Sequence, residues 1–237
     1  MNASPSTPWR PAFGKIALVI FDCDGVLIDS EPLSNRVLAQ IITAAGWPMT
    51  AAECQARFIG LSFYDTQPVV EAHLGISLGP DWVDRVVDRV VAALAAEVEA
   101  VPGARLALEA TTALGLPWRV ASNSSHEEMA AKFGRTGLAD LVAGRVHSAV
   151  DVIARGGRGK PAPDLFLDAA AAEGVAPGGC LVIEDSVAGV QGAVAAGMTC
   201  LGFSPHGDGA HLRQAGATPF HSMHALPDLL RSATGAA

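Results

Sequence analysis

Residues 16–21 read IALVIF, an unbroken apolar run rich in branched side chains, and the run ends on Asp22 and Asp24. A strand with no polar alternation has no face to turn to water. It therefore belongs inside a parallel sheet covered on both sides. Trp118–Ala121 (WRVA) and Cys180–Ile183 (CLVI) have the same character, and each also ends in a polar cluster. Thr199–Phe203 reads as a weaker fourth strand and Val146–Ala149 as a fifth.

Helical signals fall between these runs. Ser125 and Glu128 form a capping box that opens a helix through about Arg135. Pro163 and Asp164 open the next, with proline in the first turn. Ser186 caps a third, which runs to about Ala196 before Gly197. Alternating strands and helices predict an α/β fold with a mostly parallel sheet. Residues 31–100 break the rhythm. Leu33, Val37, Leu38, Ile41, Ile42 and Ala45 recur at helical spacing and stop at Gly46, and a second stripe runs from Val83 to Val98. This stretch reads as a helical domain inserted after the first strand. The predicted division is a core of residues 1–30 and 102–237 around an insert of residues 31–101.

Composition narrows the function. The 237-residue chain carries a formal net charge of -8, which disfavours nucleic acid as a partner. No apolar run approaches the ~20 residues of a membrane helix. The start, MNASPSTPWRP, lacks an apolar segment and reads as a frayed tail and not a signal peptide, so the cytoplasm is the expected compartment. Cys23, Cys54, Cys180 and Cys200 form no metal spacing and read as buried thiols. The histidines, including His206, His221 and His224, read as structural or surface residues. Only three lysines occur, Lys15, Lys132 and Lys160, so the setting of each matters.

Ligands of open parallel sheets bind beyond the carboxyl ends of the strands. Those ends deliver Asp22, Cys23, Asp24 and Gly25, then Ser122 and Asn123, then Glu184, Asp185 and Ser186, while Lys160 precedes a helix on the same side. Converging carboxylates repel one another unless a cation intervenes. All-oxygen donors select a hard ion such as Mg²⁺, which takes one or two carboxylates plus a phosphate. A lysine neutralises further phosphate oxygens, a serine hydroxyl binds another, and a remaining carboxylate can attack phosphorus.

At this point the motifs resemble a known family. DCDGVLIDSE at 22–31, ASNSS at 121–125, GKPAPD at 159–164 and IEDSVAGVQGAVAAGM at 183–198 are similar, in order, to the four signatures of the haloacid dehalogenase superfamily. The insert resembles the helical cap of its β-phosphoglucomutase-like subgroup. The resemblance implies a Rossmann-like core and a set of roles. Asp22 is the nucleophile, and Asp24 protonates the leaving oxygen and then activates water. Mg²⁺ is held by Asp22, the backbone carbonyl of Asp24, and Asp185, with Glu184 a further ligand or a support. Ser122 and Lys160 bind the transferring phosphoryl group, Asn123 lines its site, and Gly25 lets the chain turn close to it. Asp29 and Ser30 read as hinge and helix cap. The expected partner is a small phosphorylated metabolite, and the family default is a monomer.

Within the family, Asp24 argues against dehalogenation, and the lack of any lysine between Lys15 and Lys132 excludes a Schiff-base phosphonatase. A mutase of the β-phosphoglucomutase type carries a histidine and two basic groups for a second phosphate. Those positions correspond here to Ser34, Ile59 and Phe63, with Arg57 nearby. The expectation is therefore hydrolysis of a sugar, sugar-acid or polyol phosphate, with the mutase and an inactive phosphosugar-binding protein as alternatives. Arg155 and Arg158, in the lengthened loop before Lys160, either reach an anionic substrate or are solvated. The expected hinges of cap opening lie at Asp29–Pro32 and Val101–Gly103.

Overall fold

Strand β1 (Leu18–Phe21) is fully buried, and its side chains divide between two separate hydrophobic clusters. Val19 and Phe21 enter one cluster, Leu18 and Ile20 the other. Successive strand side chains point to opposite faces, so the division places β1 between two cores. The computed structural model describes residues 15–58 and 61–234. The N-terminal tail and Ile59 lie outside the described residues.

Four helices follow β1: α1 (Glu31–Ala44), α2 (Ala51–Phe58), α3 (Phe63–Leu74) and α4 (Trp82–Glu97). The two apolar stripes of the sequence become α1 and α4, and Gly46 has φ 111° just after α1. Helices α2 and α3 were not anticipated. α2 buries only Cys54 and Phe58, and α3 buries only Thr66 and Val70 and contains Pro68, so neither writes a clear stripe. Ser62 starts α3 by accepting from Asp65 N, and Gly75 closes it with φ 67°. The two chain crossings into this helical block are tied together. Ile28 and Ala100 form an antiparallel bridge, Asp29 N donates to Glu99 O at 3.0 Å, and Val101 N donates to Leu27 O at 3.0 Å.

The chain then alternates: α5 (Ala104–Ala113), β2 (Trp118–Ser122), α6 (His126–Thr136), α7 (Ala139–Val142), β3 (Val146–Ser148), α8 (Ala149–Ala154), α9 (Asp164–Ala172), β4 (Cys180–Glu184), α10 (Val187–Ala195), β5 (Thr199–Phe203), α11 (Ala210–Ala215), β6 (Thr218–Phe220) and α12 (Leu226–Thr234). All pairings are parallel, and the strand order is β3-β2-β1-β4-β5-β6. This is a Rossmann-like α/β sheet, and the order reverses direction between β1 and β4, the crevice where such sheets bind ligands. Strand β6 was not expected. It is an edge strand that contains Pro219, where a missing N–H costs no ladder bond. Among the described residues no helix is long and apolar enough to cross a membrane.

The expected caps set the helix entries beside the strand ends. Ser125 Oγ accepts from Glu128 N at 3.2 Å, and Glu128 Oε2 accepts from Ser125 N at 2.7 Å. Ser186 Oγ accepts from Gly189 N at 3.0 Å. Pro163 stands one position earlier than expected, as the residue preceding the helix. Ser30 precedes α1, but its side chain makes no capping bond and lines the cleft described below, which corrects that expectation. Ser125→Ala removes one side of the α6 capping box. The expected loss is about 1 kcal/mol, or a Tm lower by about 2–4 °C, and an unchanged melting curve would remove the cap from the account of α6.

Candidate active site

At the end of β1 the Asp22 backbone N donates to Ile183 O on β4 at 2.9 Å, which joins the two strand ends across the reversal point. Glu184 ends β4 and is completely buried. One of its oxygens accepts from Lys160 Nζ at 2.7 Å. The other accepts from Asp185 N, Ser186 N and Ser186 Oγ, each at 2.9 Å. The same lysine donates to Asp22 Oδ1 at 2.5 Å and stands 5.0 Å over the Phe166 ring. Lys160 is thus clamped between two buried carboxylates.

Glycines allow this approach. A Cβ on Gly25, which has φ 78°, would stand 1.8 Å from Asp185 Oδ2. A Cβ on Gly189 would stand 1.7 Å from Glu184 Oε1. On the other side, Asn123 Oδ1 accepts from Lys160 N at 3.0 Å, and a Cβ on Gly159 would come within 2.8 Å of that oxygen. Asn123 therefore holds the 159–161 segment against the end of β2 as well as lining the cleft. Ser122 Oγ accepts from Ser124 N at 3.1 Å, and its O–H remains available as a donor.

These groups surround a cleft of about 250 Å³. Every described residue that lines it is polar or charged, from Asp22 and Asp24 through Ser122, Asn123 and Lys160 to Glu184 and Asp185, with Ser30 and Glu31 added by the start of α1. Such a set of polar and charged side chains suits a phosphate and hydroxyl groups. The structure thus brings together all eight residues singled out for the site, Gly25 included.

The electrostatics are those of crowded acids. Burial pushes the Asp22 carboxyl up to about 7; Lys160 opposes this, and Glu184 and Asp24 add to it. Burial, with the charges of Glu184, Asp22 and Glu31, also lifts Asp185 well above the usual carboxylate range. Burial pulls the Lys160 ammonium down, yet Asp22 and Glu184 outweigh it and leave lysine firmly charged. A divalent cation would relieve the strain on the acids. Asp22, Glu184 and Asp185 each offer an oxygen, all within 4.8 Å of one another. Glu184 Oε2 accepts three hydrogen bonds, and Glu184 Oε1 and Asp22 Oδ1 each accept from Lys160, so Asp22 Oδ2 and the Asp185 carboxylate are the least engaged donors. Among the described residues no cation pairs with Asp185. This hard, all-oxygen set fits Mg²⁺.

From the sequence, Lys132 and Ser124 are named only as one of three lysines and as part of ASNSS, without a role. Lys132 Nζ donates to Asp24 Oδ1 and Oδ2, both at 2.8 Å, and Ser124 Oγ donates to Asp24 Oδ2 at 3.0 Å. Burial lowers the Lys132 pKa, but the Asp24 charge more than offsets this and leaves it raised. The available signal was its place among the buried residues Met129 and Phe133 of an amphipathic helix. Other candidates stand apart from the cleft. Arg155 pairs with Asp168, which also accepts from His147. Arg57 lies over the Trp47 ring at 5.0 Å, and Phe63 packs against the core. The four cysteines are buried and free.

Comparison with known proteins places this geometry. A family model described as haloacid dehalogenase-like hydrolase matches residues 16–197. The chain is 31% identical over 219 residues to 6-phosphogluconate phosphatase of Escherichia coli, covering 92% of this chain and 96% of that one. A haloacid dehalogenase-like protein of unknown function from Agrobacterium tumefaciens superposes with a TM-score of 0.82 at 34% identity, covering 92% of this chain and 98% of that one. A hydrolase of the same family from Deinococcus radiodurans, solved with bound phosphate and sodium, gives a TM-score of 0.77 at 32% identity, covering 91% of this chain and 97% of that one. The chain, with its acidic strand ends gathered around Lys160, belongs to the haloacid dehalogenase-like hydrolases.

Proposed function

We propose that the protein is a Mg²⁺-dependent phosphatase of small phosphate monoesters, acting on a sugar, sugar-acid or polyol phosphate. The observation that carries the reading is the convergence of Asp22, Asp24, Ser122, Lys160 and Asp185 on one cleft lined by polar and charged residues at the reversal point of the sheet. The likeness to 6-phosphogluconate phosphatase supports this class of substrate.

Lys160 and the Ser122 hydroxyl bind non-bridging phosphoryl oxygens. Mg²⁺, held by Asp22, Asp185 and the backbone carbonyl of Asp24, would supply positive charge that offsets the phosphoryl charge. The Asp22 carboxylate attacks phosphorus; the Asp22–phosphorus bond forms as the ester P–O bond breaks, and Asp24 gives its proton to the departing oxygen. In the second half, Asp24 takes a proton from a water whose oxygen bonds phosphorus, and the bond to Asp22 breaks. Phosphate leaves and both aspartates return to their starting state. Glu184 holds Lys160 and the 185–186 backbone in place. Most of the rate enhancement comes from positioning and charge.

Hydrolysis is favoured over mutase chemistry by the charge of the cleft. Its described lining carries five carboxylates and one lysine, so a second phosphate would meet repulsion and no clamp. In the same reading residues 31–101 form a cap over a core of residues 1–30 and 102–237, and the enzyme is a cytoplasmic monomer. Neither nucleic acid nor membrane is a partner.

Purified protein is expected to release phosphate from p-nitrophenyl phosphate and from members of a sugar, sugar-acid and polyol phosphate panel. EDTA should abolish the release, and Asp22→Asn should lower kcat by at least about a thousandfold. Full activity in either case removes the mechanism. Net isomerisation primed by a bisphosphate would establish the mutase instead. Ligand binding without turnover, and without trapping by beryllofluoride, would establish a binding protein.

Metal binding should depend on pH with a fixed sign. Asp22, pushed up to about 7, is mostly protonated at pH 6, and Asp185 is raised in the same direction, so a cation must displace protons. Mg²⁺ affinity is therefore expected to rise between pH 6 and pH 8, with proton release on binding. Calorimetry in two buffers of different ionisation enthalpy measures this, and equal affinity at both pH values with no proton release counts against Asp22 and Asp185 as ligands.

A further inference from the structure

Asp24 is held from behind by a group outside the cleft lining. Lys132 lies on the core-facing side of α6, with Met129 and Phe133. Its side chain is 6% exposed, against 32% for Asp24, so the ammonium approaches from the interior and the carboxylate faces the cleft. All three ammonium donors are used: one on each Asp24 oxygen at 2.8 Å, and one on Ser124 Oγ at 3.1 Å. Ser124 Oγ donates in turn to Asp24 Oδ2. The three side chains close a ring.

A carboxylate offers about four acceptor positions, two on each oxygen. Lys132 occupies one on each oxygen of Asp24, and Ser124 occupies the second on Oδ2. Among the described residues, Oδ1 accepts one bond and Oδ2 two, so Oδ1 is the less engaged oxygen. We propose that Lys132, together with Ser124, is a positioning residue that fixes the Asp24 carboxylate so that Oδ1 is the oxygen that exchanges protons with the ester oxygen and with water. The inference rests on the phosphatase reading, which gives Asp24 that exchange.

A plainer role for Lys132 is to balance the crowded acids. Balance alone requires nearness to several carboxylates and no direction. Lys132 instead spends two donors on one carboxylate and the third on the serine that also binds it. Its helix is fixed at one end by the capping box and at the other by Gly137 with φ 70°. Arg135 Nε donates to Ala96 O at 2.8 Å, so α6 is also tied to the end of α4.

The test compares wild type, Lys132→Met, Lys132→Arg, Ser124→Ala, Asp24→Asn and the double variant Asp24→Asn with Lys132→Met. Each is assayed on p-nitrophenyl phosphate and on the best alkyl phosphate of the panel, with a melting curve for every variant. Lys132→Met is expected to lower kcat about tenfold or more at a KM changed less than about twofold, because a displaced proton donor weakens the transition state and not substrate binding. Lys132→Arg should retain more of kcat than Lys132→Met. In the Asp24→Asn background the methionine should cost less than about a further twofold, since Lys132 acts through Asp24. A kcat within about twofold of wild type, or the same fold-loss in the Asp24→Asn background, overturns the proposal. Should Lys132→Met not fold, Ser124→Ala carries the test: about a threefold loss of kcat at constant KM supports the ring, and an unchanged kcat overturns it. A wild type inactive on every ester overturns the phosphatase reading itself, whereas an active wild type with an indifferent Lys132→Met overturns the role of Lys132 alone.

Discussion

The ion triad of Asp22, Lys160 and Glu184 is the contact on which the rest of the site depends. Each member comes from a different signature of the chain, and each is almost wholly removed from water. A buried charge is tolerated only when it is paired and hydrogen-bonded on its remaining positions. Glu184 meets that demand through Asp185 N, Ser186 N and Ser186 Oγ, and Lys160 meets it through both carboxylates. Removal of the lysine would leave two acids facing each other without compensation, at a cost of about 3–5 kcal/mol for a broken buried pair. The loop carrying Lys160, the end of β4 and the entry to α10 are thereby pinned to the end of β1.

The sheet topology makes this pin possible. Asp22 stands beside Glu184 because β1 and β4 are neighbours, at the point where the strand order reverses. The backbone bond from Asp22 N to Ile183 O sets their relative height. Gly25 and Gly189 then become sites where any side chain would strike a carboxylate. Sequence features that look like separate motifs are, in space, the partners of one electrostatic arrangement.

Much of this was readable in advance, for a physical reason. A strand buried on both faces writes a continuous apolar run, and the abrupt change to acids or Ser-Asn marks its carboxyl end. β1, β2 and β4 follow that rule, so the positions of Asp22, Asp24, Ser122, Asn123, Glu184 and Asp185 at strand ends are legible in the sequence. Capping residues such as Ser125 and Ser186 are equally local. What escaped notice lacks a local signature. β6 is three residues with a central proline, and α2 and α3 bury too few side chains to set a period. Lys132 is one lysine in an eleven-residue helix, and only the position of Asp24 in space shows that it faces inward. The side chain of Ser30 points to the same limit. Its place before α1 suggests a cap, and only the fold shows it turned to the cleft.

The paired crossings at Ile28 and Ala100 have a mechanical meaning. A block of four helices tied by two independent tethers could slide, tilt and twist. Here the tethers are cross-linked by the bonds from Asp29 N to Glu99 O and from Val101 N to Leu27 O, directly beneath the block. The pair acts as one strap. The strap leads directly into Glu31, which heads α1 and lines the cleft, so the same few residues join the helical block to the sheet and to the cleft wall.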